Sequence, residues 1–508
     1  MQFNSYFFIL FFLPVTLLWY FILGGLGKER LSKVYLLAMS LWFYGYFNIS
    51  YLGIICGSIV VNYLFSRIMA REKRAGRDPR LFLVLGVVFN VSVIFYFKYF
   101  DFFLANINTL FGTDFVLRNI LLPLGISFFT FQQISFMVDS YKGETQSYSF
   151  TDYALFVAFF PQLVAGPIVL HSELIPQFKD SSKHRVNFDN LSRGLILFAR
   201  GLGKKILIAD TFGGAVDWGF TWAARASSGQ DALSFYEVII VMLSYTFQIY
   251  FDFSGYSDMA IGLGAMFNFD IPVNFNSPYK ALSVSDFWKR WHMTLTRFLT
   301  RYIYIPLGGN RKGRVRTYIN VMIVFLVSGI WHGANWTFIL WGVLHGAFQC
   351  VNKLFSKSWN RMMTALEESL PGKCLAYVVR ACQWLVTFAV INLLWLLFRA
   401  ESVTQYLQIL KRLTVPYYFV REELLDFFRI PKIRYVFEAL HVNIGEDVIL
   451  TACVYAAMIL ALVLCLFVKN NHEKPVKKDR VSLLCTWGLL FVCIISMGRV
   501  STFLYFNF

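Results

Sequence analysis

TYINVMIVFLVSGIWHGANWTFILWGVLHG, residues 317–346, is apolar almost throughout, follows the basic loop Arg311-Lys312-Gly313-Arg314-Val315-Arg316, and is interrupted by one polar turn at His332-Gly333-Ala334-Asn335. An apolar run beginning just past such a loop reads as a membrane helix entering from the cytoplasmic side. Started at Thr317, that helix reaches Ile330 after about 20 Å at 1.5 Å per residue, short of a hydrocarbon core of ~30 Å. The turn at His332 is therefore expected inside the membrane, with the chain reversing into a second helix. A lone histidine on an apolar face is usually a structural residue. Here the adjacent glycine, the asparagine three residues on and the reversal at depth point to a cavity, and an ionisable group at that depth marks a functional site.

The rest of the chain supports a membrane setting. Hydrophobic residues make up 57% of the 508, aromatics 19% and charged residues 15%, outside the range of ordinary soluble domains. Segments long enough to cross recur at Tyr6 to Leu26, Ile49 to Met69, Leu81 to Phe97 and Val448 to Val468. In lipid every backbone polar group must be satisfied internally, so these are helices; the short alternating segments of a barrel are not evident. The first segment lacks a basic leader and a cleavage site, and is expected to be retained. The fold expected is an all-α, polytopic membrane domain over residues 1–508, with roughly 11–13 helices, some of them partial or re-entrant.

A net charge of +17 raises nucleic acid as a partner, but the basic residues lie in short loops rather than on one folded face. They report topology instead. Lys28, Arg30 and Lys33 follow the first helix, and Arg71, Lys73, Arg74, Arg77 and Arg80 follow the third, which puts both loops in the cytoplasm and the N-terminus outside. The basic stretches 311–316, 353–380 and 469–480 obey the same rule, and 401–447 is nearly balanced in charge, as suits an external segment. The last helix, Val481 to Met497, then leaves the C-terminus external. Eight cysteines are scattered through apolar segments without metal or redox spacing and read as small buried hydrophobes.

Three regions depart from plain spans. Leu122-Pro123-Leu124-Gly125-Ile126-Ser127 and Phe159-Phe160-Pro161-Gln162-Leu163-Val164-Ala165-Gly166-Pro167 bracket short apolar runs with proline and glycine. They read either as broken helices lining a cavity or as proline-kinked spans packed on neighbours. Asp252 and Asp258 sit six apart in the aromatic run Phe247 to Met259, too far in register to share one helical face, so a shared-proton dyad is disfavoured. Hydrogen bonding or pairing with basic residues suits them better. Ser285 to Gly309 carries Phe287, Trp288, Trp291, Leu295, Phe298, Leu299 and Tyr302 at spacings of three and four, with Arg290, Arg297 and Arg301 on another side. It reads as an amphipathic interfacial helix whose arginines meet headgroups or the phosphates of an anionic donor, with His292 on its inward border.

An imidazole in an apolar site is held in its neutral form, and neutral imidazole is a general base. It can take the proton of a hydroxyl while that oxygen attacks an acyl thioester. The rival chemistry is metal binding, and the seven histidines show no ligand spacing with carboxylates or cysteines, so no metal or bound cofactor is expected.

LPLGISFFTFQ (122–132), FFPQLVAGPI (159–168), FQIYFDFSGYSDMAIG (247–262), PVNFNSPYKALSVSDFWKRWHMTLTRFLTRYIYIPLGGNR (272–311) and SGIWHGANWTFILWG (328–342) together resemble the membrane-bound O-acyltransferase family. The resemblance covers most of residues 120–345, and is to the branch of the alginate O-acetylation membrane proteins and, more distantly, to the D-alanyl transfer proteins of teichoic acid. It implies a tunnel or funnel through a ring of helices, His332 as the family's catalytic histidine, and His292 at its second polar position, where some relatives carry asparagine. Trp288, Trp291, Trp331, Asn335, Asp252 and Asp258 are the corresponding tunnel-lining candidates.

The activity implied is acyl transfer across the bilayer of the cell membrane, from a cytoplasmic thioester donor, expected to be acetyl-coenzyme A, to a cell-surface polysaccharide outside. An extracytoplasmic acyltransferase partner would complete it, since the chain holds no soluble hydrolase-like domain. The aromatic ending Phe503-Leu504-Tyr505-Phe506-Asn507-Phe508, after the helix of the 481–508 segment, resembles that of the same branch. Tyr505 is either an acyl relay to that partner or an aromatic membrane anchor. The alternatives in function are D-alanyl transfer from a carrier protein to teichoic acid, and a non-enzymatic transporter or flippase. The latter ordinarily shows internal repeats, and none are evident.

Overall fold

The computed structural model describes all residues except 146–147, 226–231, 369, 431–444, 472, 474–478, 499–501 and 505–508, so Tyr505 lies outside the described residues. Among those described, the regular structure is helical, with no strand. Seven helices are long and apolar enough to cross a membrane: Phe8–Gly25, Ser50–Arg74, Arg80–Phe111, Phe235–Met266, Arg314–His332, Pro371–Arg399 and Glu446–Leu466. Six more described helices, Glu29–Gly45, Ile126–Lys142, Phe188–Gly203, Asp210–Arg225, Trp336–Glu367 and Arg480–Ser496, run for 16 to 32 residues. The architecture is that of a polytopic membrane protein.

The chain forms two compact units, one of residues 1–203, 255–273 and 475–508, the other of 204–254 and 274–474. In the first, the proline-rich region resolves as broken helix rather than kinked span. The Phe150–Ala158 helix stops at Phe159, one short turn follows at Phe160–Leu163, and Val164 to Leu170 is irregular yet buried. Pro161 sits at the start of that turn, and Pro167 supplies no N–H to continue it. The same unit gathers Asp139, Glu144 and His171 with their ligand atoms within 4.8 Å of one another, a grouping that spacing along the chain does not show. His171 Nε2 lies 3.0 Å from Asp139 and its Nδ1 3.1 Å from the Tyr148 hydroxyl, while Lys142 lies 3.3 Å from Asp139. Both ring nitrogens are thus already engaged, and the cluster ties three segments together as a hydrogen-bonded lock.

The second unit contains the histidine helix, Arg314–His332, and its return helix, Trp336–Glu367. They pack closely because small residues face each other: a Cβ added to Gly329 would lie 2.4 Å from the Phe338 carbonyl oxygen, and one added to Gly342 2.4 Å from that of Phe325. The histidine helix starts three residues before the expected Thr317. Its 19 residues span about 28 Å. Its first three residues, Arg314-Val315-Arg316, extend it into the basic loop, and from Thr317 to His332 the rise is about 22 Å.

The amphipathic helix expected over Ser285 to Gly309 is instead two short helices, Val284–Arg290 and Met293–Leu299, followed by a wider turn at Thr300–Tyr304. The break falls at His292, whose backbone is left-handed, with φ 44° and ψ 52°. Buried Asn274 holds it: its carbonyl accepts from Met293 N at 2.9 Å, and its side-chain oxygen from the Thr294 hydroxyl at 2.6 Å. Side-chain spacing alone does not reveal such an anchor 18 residues upstream.

Candidate active site

His332 is the last residue of its helix, and Asn335 starts the return helix by accepting from Thr337 N at 3.0 Å and donating to the Glu401 carbonyl at 2.8 Å. Asn335 therefore shapes the turn. The His332 ring is 3% exposed and lies edge-on to Trp331, Trp341 and Phe398, with centroids 4.9, 5.1 and 5.2 Å away. His292 is fully buried, edge-on to Phe253 at 4.8 Å and 6.1 Å from Trp331. One indole, Trp331, thus contacts both histidines that the sequence singles out. The left-handed backbone of His292 is costly for a non-glycine residue, by about 1–3 kcal/mol, and such strain collects at functional sites.

The same unit holds a cavity of about 600 Å³; neither histidine is among its lining residues, and the wall residue nearest His332 in sequence is Ser328. Its wall on the histidine helix is Val321, Val324, Phe325 and Ser328, and on the return helix Gln349, Asn352, Lys353 and Ser356. Because the two helices are antiparallel, the Ser328 end points to the histidine turn and the Lys353 and Ser356 end away from it. From Ser328 to His332 is one helical turn on one face, a rise of about 6 Å. Lys289 places a second cation on the wall, and Leu295, Leu299 and Val324 supply apolar surface. The cavity is lined mainly by apolar and aromatic side chains, with Lys289 and Lys353 as its cations.

The remaining candidates separate. Trp288 lines the cavity and donates its indole N–H to His345 Nδ1 at 3.1 Å. Trp291, expected on the tunnel wall, is packed into an aromatic core against Phe275, Phe287 and Trp395, at 5.0, 5.5 and 4.8 Å. The break at His292 takes it off the register it would share with Trp288 in a continuous helix. Asp252 pairs with Lys205 at 2.7 Å, and Lys205 also reaches Asp210 at 2.8 Å, so this carboxylate anchors a buried ion network rather than lining the cavity. Asp258 is buried within the first unit. Residues that sequence reasoning passed over are His345, Trp341, Ser328 and Phe398. His345 stands one turn beyond Trp341 in the stretch quoted above, which is a readable signal; Phe398 comes from a distant helix and leaves none.

A profile of the MBOAT, membrane-bound O-acyltransferase family, matches residues 85–398, which takes in both histidines, Trp331 and the cavity wall. The chain belongs to this family. It is accordingly an acyltransferase, and the transporter reading falls away. The acyltransferase is 40% identical to a peptidoglycan O-acetyltransferase of Helicobacter pylori, over 100% of this chain and 97% of the relative. It is also 40% identical to a probable alginate O-acetylase of Pseudomonas aeruginosa, over 79% of this chain and 73% of the relative. A teichoic acid D-alanyltransferase of Streptococcus thermophilus is more distant, 25% identical over 45% of this chain and 56% of the relative.

Proposed function

We propose that this acyltransferase accepts an acetyl group from acetyl-coenzyme A in the cytoplasm and delivers it across the cell membrane for O-acetylation of a cell-surface polysaccharide, with an extracytoplasmic acyltransferase as partner. One observation carries the reading: the cavity whose wall residue Ser328 stands one turn from His332 carries Lys289 and Lys353 on an otherwise largely apolar lining. That arrangement suits a long thioester with an anionic head and a small acyl tip. The basic loops put the Lys353 end of the cavity on the cytoplasmic side, and the N- and C-termini outside.

His332 acts as general base. It takes the hydroxyl proton of the acceptor as that oxygen bonds to the thioester carbon; the C–S bond breaks and the thiolate leaves with the proton. His292, on the same indole, holds the acceptor or the imidazole in line. No metal is required by these steps. The full-length match to a peptidoglycan O-acetyltransferase favours peptidoglycan as the polysaccharide over alginate, and favours acetyl over D-alanyl. Tyr505 is the relay that carries the acetyl group to the partner.

The test is thiol release from acetyl-coenzyme A by the purified protein in detergent. His332→Ala should abolish turnover while the protein still elutes as a single folded species; full turnover in that variant removes the catalytic assignment. D-alanyl carrier protein offered in place of acetyl-coenzyme A should give no transfer. Tyr505→Phe keeps an aromatic anchor and loses the hydroxyl, so unchanged surface acetylation in that variant rules out the relay.

A further inference from the structure

We infer that His345 is a fixed hydrogen-bond donor to a carbonyl oxygen of the bound acyl donor, an assignment that rests on the acyl-transfer reading above. It begins with a tautomer. An indole N–H only donates, and Trp288 Nε1 lies 3.1 Å from His345 Nδ1. Nδ1 is therefore the acceptor, and the neutral ring carries its proton on Nε2. That Nε2 is buried and meets no hydrogen-bond partner among the described residues. A donor left unmade in a dry interior is destabilising, and native structures rarely keep one without a use.

Its position supplies the use. On the return helix, Gln349, Lys353 and Ser356 follow His345 by four, eight and eleven residues, so His345 lies one turn before the stripe that walls the cavity, buried behind that wall rather than lining it. Its ring contacts Trp288 and Phe325, both on that wall, at centroid distances of 5.1 and 6.2 Å. On its other side it meets Trp341 at 4.6 Å, and Trp341 meets His332 at 5.1 Å. His345 thus stands between the cavity wall and the general base.

A thioester threaded along this slot offers carbonyl oxygens as its acceptors. During attack the thioester oxygen gains negative charge, the proton passes from the alcohol to His332 and on to the leaving thiolate, and His345 keeps its own proton throughout. Its N–H bond to that oxygen strengthens as charge develops, which is the form of stabilisation that lowers a barrier. An amide carbonyl further back along the donor would accept the same bond, with an effect on binding rather than on rate.

The experiment compares steady-state turnover of acetyl-coenzyme A by wild type, His345→Phe and His345→Gln. Phenylalanine keeps the planar volume without the donor. If the thioester oxygen is the acceptor, kcat falls about 100-fold with KM little changed; if an amide carbonyl is, KM rises and kcat holds, and either result supports the contact. Glutamine can accept from Trp288 and donate onward, and should recover at least about a tenth of wild-type activity. Wild-type kcat and KM in His345→Phe overturn the assignment, as does a glutamine variant no better than phenylalanine. Should His345→Phe fail to fold, Trp288→Phe is the second test: without the indole N–H the proton no longer has to sit on Nε2, and kcat should drop two- to tenfold, or KM rise by as much if an amide carbonyl is the acceptor. Unchanged kcat and KM there overturn the assignment as well. Failure of the acyl-transfer reading itself looks different, since wild-type protein would then release no thiol at all.

Discussion

Replacing Gly329 by alanine tests how tightly catalysis depends on the spacing of the histidine helix and its return helix. The added Cβ would lie 2.4 Å from the Phe338 carbonyl oxygen and 3.2 Å from the Gly342 Cα, against the 3.4 Å at which ordinary contact begins. Both opposing atoms are backbone and cannot swing aside, so the helices must part by about 1 Å. Overpacking of this kind costs about 1–3 kcal/mol. The larger effect falls on the site: His332 is three residues further along the moved helix, and its neighbour Trp341 sits on the stationary one. A 1 Å misplacement of a catalytic group costs about 100-fold in rate. Turnover of acetyl-coenzyme A should therefore fall by nearly two orders of magnitude, while thermal denaturation in detergent shifts by only a few degrees. Gly57→Ala, in the Ser50–Arg74 helix with open space around its Cβ, is the control and should match or slightly exceed wild type in stability, since alanine is the better helix former. Wild-type turnover and melting in Gly329→Ala would refute the claim that close helix contact sets the site.

Lys205→Met leaves Asp252 and Asp210 without their shared cation, and should lower stability by about 3–5 kcal/mol, with much of the loss regained in Lys205→Met/Asp252→Asn; equal melting of the two variants refutes the buried network. Asn335→Ala removes a helix cap worth about 1 kcal/mol as well as the bond to Glu401, and should reduce both stability and turnover modestly; an unchanged melting curve would show that the turn holds without it. Burial pushes the His184 imidazole below its ordinary value of 6.5, despite opposing contributions from the Phe178 carbonyl, Glu29 and Asp180. The unfolded chain then binds more protons than the native one, so stability is full above pH 6.5 and declines as the pH falls below it; melting between pH 7.5 and 5.5 in wild type and His184→Gln should show the slope only in the former.

The membrane helices were legible because composition and length decide them: Glu446–Leu466 begins two residues before the expected Val448, and Phe8–Gly25 lies inside the expected Tyr6 to Leu26. Helix breaks were only half legible. Proline and glycine announced that the 159–168 stretch was irregular, whereas the break at His292 depends on Asn274, a contact between segments that periodicity cannot carry. For the same reason the stripe of Trp288 and Trp291 misled: two residues three apart share a face only if the helix between and around them continues. Trp331 joining the two histidines, and Asp252 taking Lys205, are likewise properties of packing, visible only once distant segments meet.

The left-handed backbone at His292 is a conformation that asparagine also accepts, so an asparagine there should keep the break. Among polar residues asparagine tolerates that conformation best, while alanine resists it. The position therefore makes two demands, a polar side chain and a positive φ, and substitutions can separate them. Glycine meets only the second, alanine neither, asparagine both. Glycine and alanine lose the same packing against Phe253 and Trp331, so the glycine variant should be more stable than the alanine variant by about 1 kcal/mol, the reverse of their order inside an ordinary helix. Turnover should rank differently, with asparagine well above both. If alanine proves as stable as glycine at 292, the backbone is not held in the left-handed region and the two short helices are one. If asparagine turns over no faster than glycine, the polar group at this position has no part in the chemistry, and His332 acts without it.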